Sequence, residues 1–318
     1  MFLNAGHPLT DSLGTPPRDG SRVPARRRGT SGTLHPMSSL MPRLDRVTRT
    51  FWRATGRPVD LDGAEAWLSA PMHDGQTIGD GWLGAAAAAL GGTLRERDGA
   101  GLVPDMAELD GSTFRAADLR PEVRHFYEHT SEWRMEVWTQ WNPLFAPGGE
   151  LISRLFGRRV QQLALPTRPL DVARGMDSRV VTILDGDGRQ RAAGWIRTLR
   201  STGEYVYSGC YSSRRLPGSD QPSVHVAFPL EAGNVQVLLR PRSLPDGSLE
   251  LSSPPGAFGQ DGAYVVVADR GGHHAARAPI HEEFRVHVDP DGVLRTDHVL
   301  RLWSATVVRL HYKLTRAG

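Results

Sequence analysis

The chain has 318 residues, of which 39% are hydrophobic and 23% are charged, with 35 glycines, 23 prolines and a single cysteine. This composition excludes collagen-like, coiled-coil and disulfide-stapled proteins. The formal net charge is +3, but residues 1–44 contain six arginines and only two aspartates, so the basic excess belongs to that segment. The rest of the chain lacks the broad positive charge that nucleic-acid binding requires.

No apolar run approaches the roughly 20 residues that a membrane-spanning helix needs. The N-terminus has no charged segment followed by an apolar one, so no secretory signal is predicted. One cysteine cannot form an internal disulfide. We therefore expect a protein without a transmembrane segment, located in the cytoplasm.

The composition divides the chain into three regions. Residues 1–44 are rich in Pro, Gly, Ser and Arg and are predicted to form a disordered basic tail; the true start is left open between Met1, Met37 and Met41. Residues 45–112 are predicted to form a small helical appendage, with short helices near Ala64–Leu68 and Gly79–Leu90. Residues 113–318 are predicted to form a β-barrel-like domain.

The last region begins with helices. Pro121 suits the first position of a helix whose apolar face holds Val123, Phe126 and Tyr127. Alternation of apolar and polar residues over 133–141 favours a strand, although a helix with i, i+4 tryptophans stays open. An amphipathic pattern over 151–163 predicts a second helix, ended by the prolines that follow.

Strand patterns then follow one another to the C-terminus. Turn signals such as Asp246-Gly247 and Pro290-Asp291-Gly292 separate most of them. The candidate strands are Arg179–Leu184, Ala192–Arg200, Glu204–Ser212, Ser223–Pro229, Val235–Arg240, Ser248–Ser252, Ala263–Ala268, Ile280–Val288, Val293–Arg301 and Ala305–Leu314. Short connections require antiparallel pairing, and a sheet of this size should curl or close. The predicted fold class is α+β, mainly antiparallel β: a curled sheet or barrel-like meander of about ten strands, with two helices packed over one opening.

Two charged residues fall on otherwise apolar strand faces. Glu282 shares a face with Ile280 and Phe284, and Arg197 alternates inward between Trp195 and Leu199. A buried unpaired charge costs several kcal/mol, so each needs a partner. An ion pair between Arg197 and Glu282 would be a purely structural explanation. Contact with a bound ligand is the functional one, and the sequence leaves both open.

Alternation over 204–212 places Tyr205, Tyr207 and Tyr211 on one side of a strand. This stripe indicates either a cavity wall or ordinary core. Cys210 lies on the other side with no base beside it in sequence, which indicates an inert buried thiol.

Histidines are frequent in the C-terminal third, but their spacing matches no zinc-binding pattern, so no metal site is predicted. The phosphate-binding, dinucleotide-binding and nucleophile-elbow motifs are all missing. We expect no cofactor, and no catalytic residue is assigned.

Several segments together resemble a known family: Val123-Arg-His-Phe-Tyr-Glu-His-Thr130, Arg158-Arg-Val-Gln-Gln-Leu163, and the hairpin from Gly194-Trp-Ile-Arg197 through Tyr207-Ser208. They resemble the C-terminal soluble domain of bacterial YndJ-type proteins. They are more faintly similar to an uncharacterised domain fused to saccharopine-dehydrogenase-like reductases. The resemblance covers roughly residues 114–316 and implies a domain boundary near its start. It carries over no catalytic residue and, without the membrane-spanning half, no transport activity.

These patterns lead to one principal hypothesis: a protein that holds an apolar small molecule or lipid in a β-barrel-like cavity. The candidate ligand-binding residues are Trp133, Trp141, Trp195, Arg197, Tyr207, Glu282 and Phe284. Arg197 and Glu282 would orient the polar head of the ligand. A cyclase or isomerase that uses acid/base residues of the same cavity is the first alternative. A protein-interaction module with an unknown partner is the second.

Overall fold

The computed structural model describes residues 50–73, 79–145 and 175–317, and most of its regular structure is β-strand. Within these residues, fourteen β-strands join in one large sheet whose strand pairs are antiparallel. The helices of the described residues are few and short. The fold is α+β with a curled, mainly antiparallel sheet, as the sequence predicts.

The helices are α1 (residues 50–55), α2 (Trp82–Ala89) and α3 (Pro121–Glu128). None of the helices in the described part of the chain is both long and apolar enough to cross a bilayer. The strands are β1 (Arg57–Val59), β2 (Leu94–Arg95), β3 (Trp133–Trp141), β4 (Met176–Leu184), β5 (Gln190–Leu199), β6 (Tyr205–Arg215), β7 (Pro222–Leu230), β8 (Gly233–Ser243), β9 (Leu249–Ser252), β10 (Gly262–Asp269), β11 (Gly272–Ala278), β12 (Ile280–Val288), β13 (Leu294–Leu302) and β14 (Ala305–Arg316).

The main path of the sheet runs β2-β4-β5-β6-β7-β8-β9-β12-β13-β14-β3. At β8 the sheet forks: the first half of this strand pairs with β10, which leads to β11 and β1, and its second half pairs with β9. The curl brings β3 beside β4. No hydrogen-bonded pairing between these two strands is found in the described residues, so the sheet is not closed into a barrel.

The concave side of the sheet is covered at one end by α3 and the segment before it. Val123, Phe126 and Tyr127 point from α3 into the main hydrophobic core. Leu102 and Met106, from the preceding segment, are fully buried in the same core. We call this the α3 end of the concave side.

The convex side is covered by α2 and by residues 59–72. Trp82 and Leu83 of α2 pack on Ile183 and Cys210, and the Trp82 indole N–H donates to the Ser208 hydroxyl at 2.9 Å. Gly194 permits this approach, because a Cβ there would overlap the Leu83 side chain.

A chain of buried polar groups runs across the convex side of β6, β7 and β8. His225 Nδ1 is 3.0 Å from the Ser212 hydroxyl, and His225 Nε2 is 2.8 Å from Gln236 Oε1. The Gln236 amide donates to the carbonyl of Leu68 and to Asn234 Oδ1. These bonds compensate for the loss of water around polar side chains inside the fold.

Each of the ten candidate strands is a strand of the sheet, and 133–141 is the strand β3 rather than a helix. Gly79–Leu90 contains α2, and Ala64–Leu68 contains only a short 3₁₀ turn. The amphipathic segment 151–163 and the tail 1–44 lie outside the described residues. The strand order departs from a simple meander at two places: β9 pairs with β12 across the β10–β11 hairpin, and β3 pairs with the C-terminal strand β14.

The loop that precedes α3 touches the end of that helix without any side chain between them. A Cβ on Gly101 would overlap the carbonyl oxygens of Tyr127 and Glu128. We therefore expect Gly101→Ala to lower the free energy of unfolding by about 1–3 kcal/mol, measured by urea denaturation. A Cβ added to Gly84 of α2 would have no other atom within 4 Å. Gly84→Ala should therefore raise the free energy of unfolding by up to about 1 kcal/mol. Equal effects of the two substitutions would contradict the packing described here.

Burial lowers the pKa of His225 to about 3, and the positive charge of Arg214 acts in the same direction. In the unfolded chain the imidazole takes up a proton near pH 6.5, so the unfolded state binds more protons between these two values. The contribution of His225 to the free energy of unfolding is therefore fully present above about pH 6.5, and it is lost as the pH drops towards 3. Between pH 7 and pH 5, we expect the parent protein to lose about 2 kcal/mol more unfolding free energy than His225→Gln. If the parent protein and His225→Gln lose the same unfolding free energy between pH 7 and pH 5, burial does not lower the pKa of His225.

Candidate functional site

The concave side of β12 carries the residue pattern that the sequence indicates. Val286 is fully buried, and Ile280, Phe284 and Val288 pack against the main core. Glu282 lies on the same side of the strand, with 17% of its side chain exposed. The strand thus presents a carboxylate to an otherwise apolar surface.

Arg197 also points to the concave side, from the middle of the sheet. It pairs with Tyr207 of β6 and Ser178 of β4, and only 8% of the residue is exposed. Its guanidinium carbon lies 4.6 Å from the ring centroid of Trp195 and 4.5 Å from that of Tyr207. Stacking on aromatic faces is favourable for a guanidinium, and more so where water is excluded.

The polar contacts of Arg197 are few. Its Nη1 donates to the Met135 sulfur at 2.9 Å, a weak acceptor, and its buried Nε has no hydrogen-bond partner. Among the described residues, no carboxylate lies within ion-pair distance of Arg197, and the one ion pair of Glu282 is with His298. The ion pair between Arg197 and Glu282, which would explain both residues structurally, is not formed.

The Arg197 guanidinium borders an aromatic cluster, which we define as Trp195, Tyr207, Tyr211 and Phe228. The ring of Trp195 lies 5.5 Å from that of Tyr207 and 5.7 Å from that of Tyr211, and the two tyrosine hydroxyls are 2.7 Å apart. Opposite Trp195, Gly209 leaves the space that the Tyr207 and Phe228 rings occupy. The cluster fills the centre of the concave side.

Burial raises the pKa of both tyrosines of the cluster, Tyr207 and Tyr211. Burial also raises the pKa of Tyr312, which faces the same interior from β14. For all three phenols the charge of Arg197 opposes the rise and that of Glu282 adds to it. The phenols therefore stay neutral hydrogen-bonding groups around one cation.

Glu282 has a histidine neighbour. Its carboxylate oxygen lies 3.6 Å from His298 Nε2, and the His298 ring stacks on Phe284 at a centroid distance of 3.8 Å. Both ring nitrogens of His298 are buried, and neither makes a hydrogen bond. This pair forms a second polar group on the concave side. Glu282 lies two residues after the start of β12.

The structure separates the two tryptophans of β3. Trp133 lies at the α3 end, where its indole N–H contacts His125 Nδ1 at 3.2 Å. Trp141 lies at the other end of the strand and shares a cross-strand row with Val308, Leu300 and Glu282. Eight residues of strand span roughly 26 Å, so the two rings do not line one small-molecule site. We call the Trp141 side of the concave surface the Glu282 end.

The predicted tyrosine stripe is divided by a β-bulge. Between Arg197 and Thr198 the β5–β6 register shifts, so that Val206 is the extra residue. Tyr207 and Tyr211 stay on the concave side, whereas Tyr205 packs with the convex cluster under α2. The expectation that Tyr205 shares their face is therefore wrong.

Sequence reasoning missed Met135, His298 and Tyr312 as members of this site. The alternation of β14 already places Tyr312 on an apolar face, but which face of the sheet is concave is a property of the curl. No group of three or more His, Cys, Asp or Glu side chains in the described residues is arranged to hold a metal ion. The site is thus a buried cation, neutral phenols and a carboxylate–imidazole pair within an apolar surface.

Comparisons with protein-family models, curated proteins and solved structures gave no match. The resemblance to YndJ-type proteins stays a prediction.

Proposed function

We propose that this protein binds a small amphipathic molecule, with an apolar body and an acidic head group, on the concave side of its sheet. The observation that carries the proposal is the buried Arg197 guanidinium, which has no carboxylate partner in the described residues. A buried cation without a counter-ion is costly, and a ligand carboxylate would supply that counter-ion. The planar guanidinium also matches the geometry of a carboxylate.

The surroundings of Arg197 suit the rest of such a ligand. The aromatic cluster borders the guanidinium on one side, and the aliphatic side chains of Leu300 and Val308 lie towards the Glu282 end. Glu282, next to His298, is placed to accept a hydrogen bond from a hydroxyl or amine of the ligand. Apolar walls with a few polar groups that fix orientation are typical of small-molecule sites.

A cytoplasmic location belongs to the same proposal, supported by the single cysteine, which allows no internal disulfide. The acid/base alternative is supported by a separate observation, the contact between Glu282 and His298. If the protein is a cyclase or isomerase, Glu282→Gln should abolish conversion of the molecule recovered with the protein while leaving its binding intact.

The cost of the buried charge can be measured without a ligand. Arg197→Met keeps an unbranched apolar side chain but removes the charge, so we expect the free energy of unfolding to rise by about 1 kcal/mol. Arg200→Met is the control, because Arg200 is half-exposed and pairs with Asp177 on the surface, and it should change stability by less than about 0.5 kcal/mol. Chemical denaturation of the ligand-free proteins gives both values. A loss of more than about 1 kcal/mol in Arg197→Met would make Arg197 a structural residue.

Binding is tested with a defined probe. Decanoate, an apolar chain with a carboxylate, should bind the full-length protein saturably and change the fluorescence of Trp195, which contacts Arg197. Arg197→Met should weaken decanoate binding at least tenfold, and Arg200→Met should leave it unchanged. Native mass spectrometry of the freshly purified protein should show an adduct. The proposal is rejected if the purified protein carries no adduct and decanoate does not bind saturably.

A further inference from the structure

A pocket of about 770 Å³ lies on the convex side of the sheet. Its floor is formed by β4, β5 and β6, with Ile183, Ala192 and Cys210, and one wall is the Ala86–Ala89 surface of α2. Leu102 and Val103 contribute to another wall. A volume of this size accommodates a drug-sized molecule, and these walls are mostly apolar.

Charged side chains of both signs line the same pocket: the arginines Arg189, Arg191 and Arg214, and the acids Asp62 and Glu108. Arg191 is mostly exposed, with Asp185 at 3.8 Å. Burial and the nearby Asp105 raise the pKa of Glu108, whereas the charge of Arg191 opposes the rise. Counted without histidines, three arginines against two acids give the lining a formal charge of +1.

Arg214 is a partly buried cation of this pocket. It projects from β6 to the convex side, and its guanidinium donates only to backbone carbonyls, those of Ser213 at 3.0 Å and Ser69 at 3.1 Å. No carboxylate of the described residues lies within ion-pair distance of it. Burial lowers its pKa, and the positive charge of Arg191 lowers it further.

The guanidinium groups of Arg214 and Arg191 thus line one pocket and repel each other, and Arg191 also has Asp185 at 3.8 Å. One carboxylate can pair fully with a single guanidinium, whereas a phosphate monoester carries up to two negative charges and three terminal oxygens. His225, at the floor, is neutral at physiological pH because burial lowers its pKa to about 3, so the two arginines supply the charge.

We propose that this convex pocket binds a phosphate monoester with an apolar substituent, with its phosphate held between Arg214 and Arg191 and its substituent against α2. The site is separate from the one around Arg197. Cys210 and Arg214 are even-numbered residues that point to the convex side of β6, while Tyr207 and Tyr211 point to the concave side. The sheet itself lies between the two sites.

The probe for this site is hexyl phosphate, titrated into the full-length protein by isothermal calorimetry. Arg214→Met and Arg191→Met should each weaken its binding at least tenfold. Arg215→Met is the matched control: the neighbouring residue is exposed, donates to the Asp220 carbonyl, and should have no effect on binding. Arg197→Met, which acts on the concave side, should also leave hexyl phosphate binding unchanged.

Each part of the proposal has an outcome that overturns it. Absence of saturable hexyl phosphate binding rejects the site, as does an equal loss in Arg215→Met and Arg214→Met. Hexanoate binding as tightly as hexyl phosphate rejects the preference for phosphate. If inorganic phosphate binds as tightly as hexyl phosphate, the apolar wall contributes nothing to binding and that part of the proposal is rejected. If Arg214→Met fails to fold, Arg191→Met, a change at the exposed rim, provides the same comparison.

Discussion

The alternation of side chains along a strand constrains every charged group in this sheet. In a curled sheet each second residue must enter the interior, and a residue in the middle of β5 has no route to water. Arg197 occupies such a position, between the buried Trp195 and Leu199. The fold tolerates the cation by stacking it between two aromatic rings and surrounding it with neutral phenols. The composition of the concave side can be understood as the environment of one guanidinium that has no carboxylate partner among the described residues.

The same alternation gives the sheet two chemically different sides. On β6, Tyr207 and Tyr211 face the concave core, whereas Cys210, Ser212 and Arg214 face the convex pocket. Each side thus holds an arginine, buried at Arg197 and partly buried at Arg214, whose partners are aromatic rings, a sulfur atom or backbone carbonyls.

Much of this fold follows from local patterns. Ten strands, β3 and the helix that begins at Pro121 are all visible in the sequence, because apolar alternation and turn residues mark them directly. Three strands are not. β11 is built from Gly, His, Ala and Arg, which have little strand preference, and β1 and β2 are two or three residues long. These strands form because a neighbouring edge offers hydrogen bonds, which no local pattern records.

As with the fold, only part of the site could be predicted from the sequence. Arg197 and Glu282 lie on the expected face because no irregularity interrupts their own alternation. Tyr205 lies on the other face because of a one-residue bulge, and the distance between Trp133 and Trp141 depends on how β3 spans the sheet. Arg214 gave no signal at all, since an Arg-Arg pair near a strand end looks like ordinary surface. The contact of its guanidinium with the Ser69 carbonyl, from a segment distant in sequence, makes it a partly buried cation.

Cys210 is the one thiol in the chain, and it lies beneath α2, where burial raises its pKa to about 12. Such a group is almost entirely protonated at neutral pH, so it reacts slowly with alkylating reagents that enter the convex pocket. Because Cys210 lies on the floor of that pocket, its alkylation rate reports how accessible the pocket is to solvent. No engineered label is needed for this measurement.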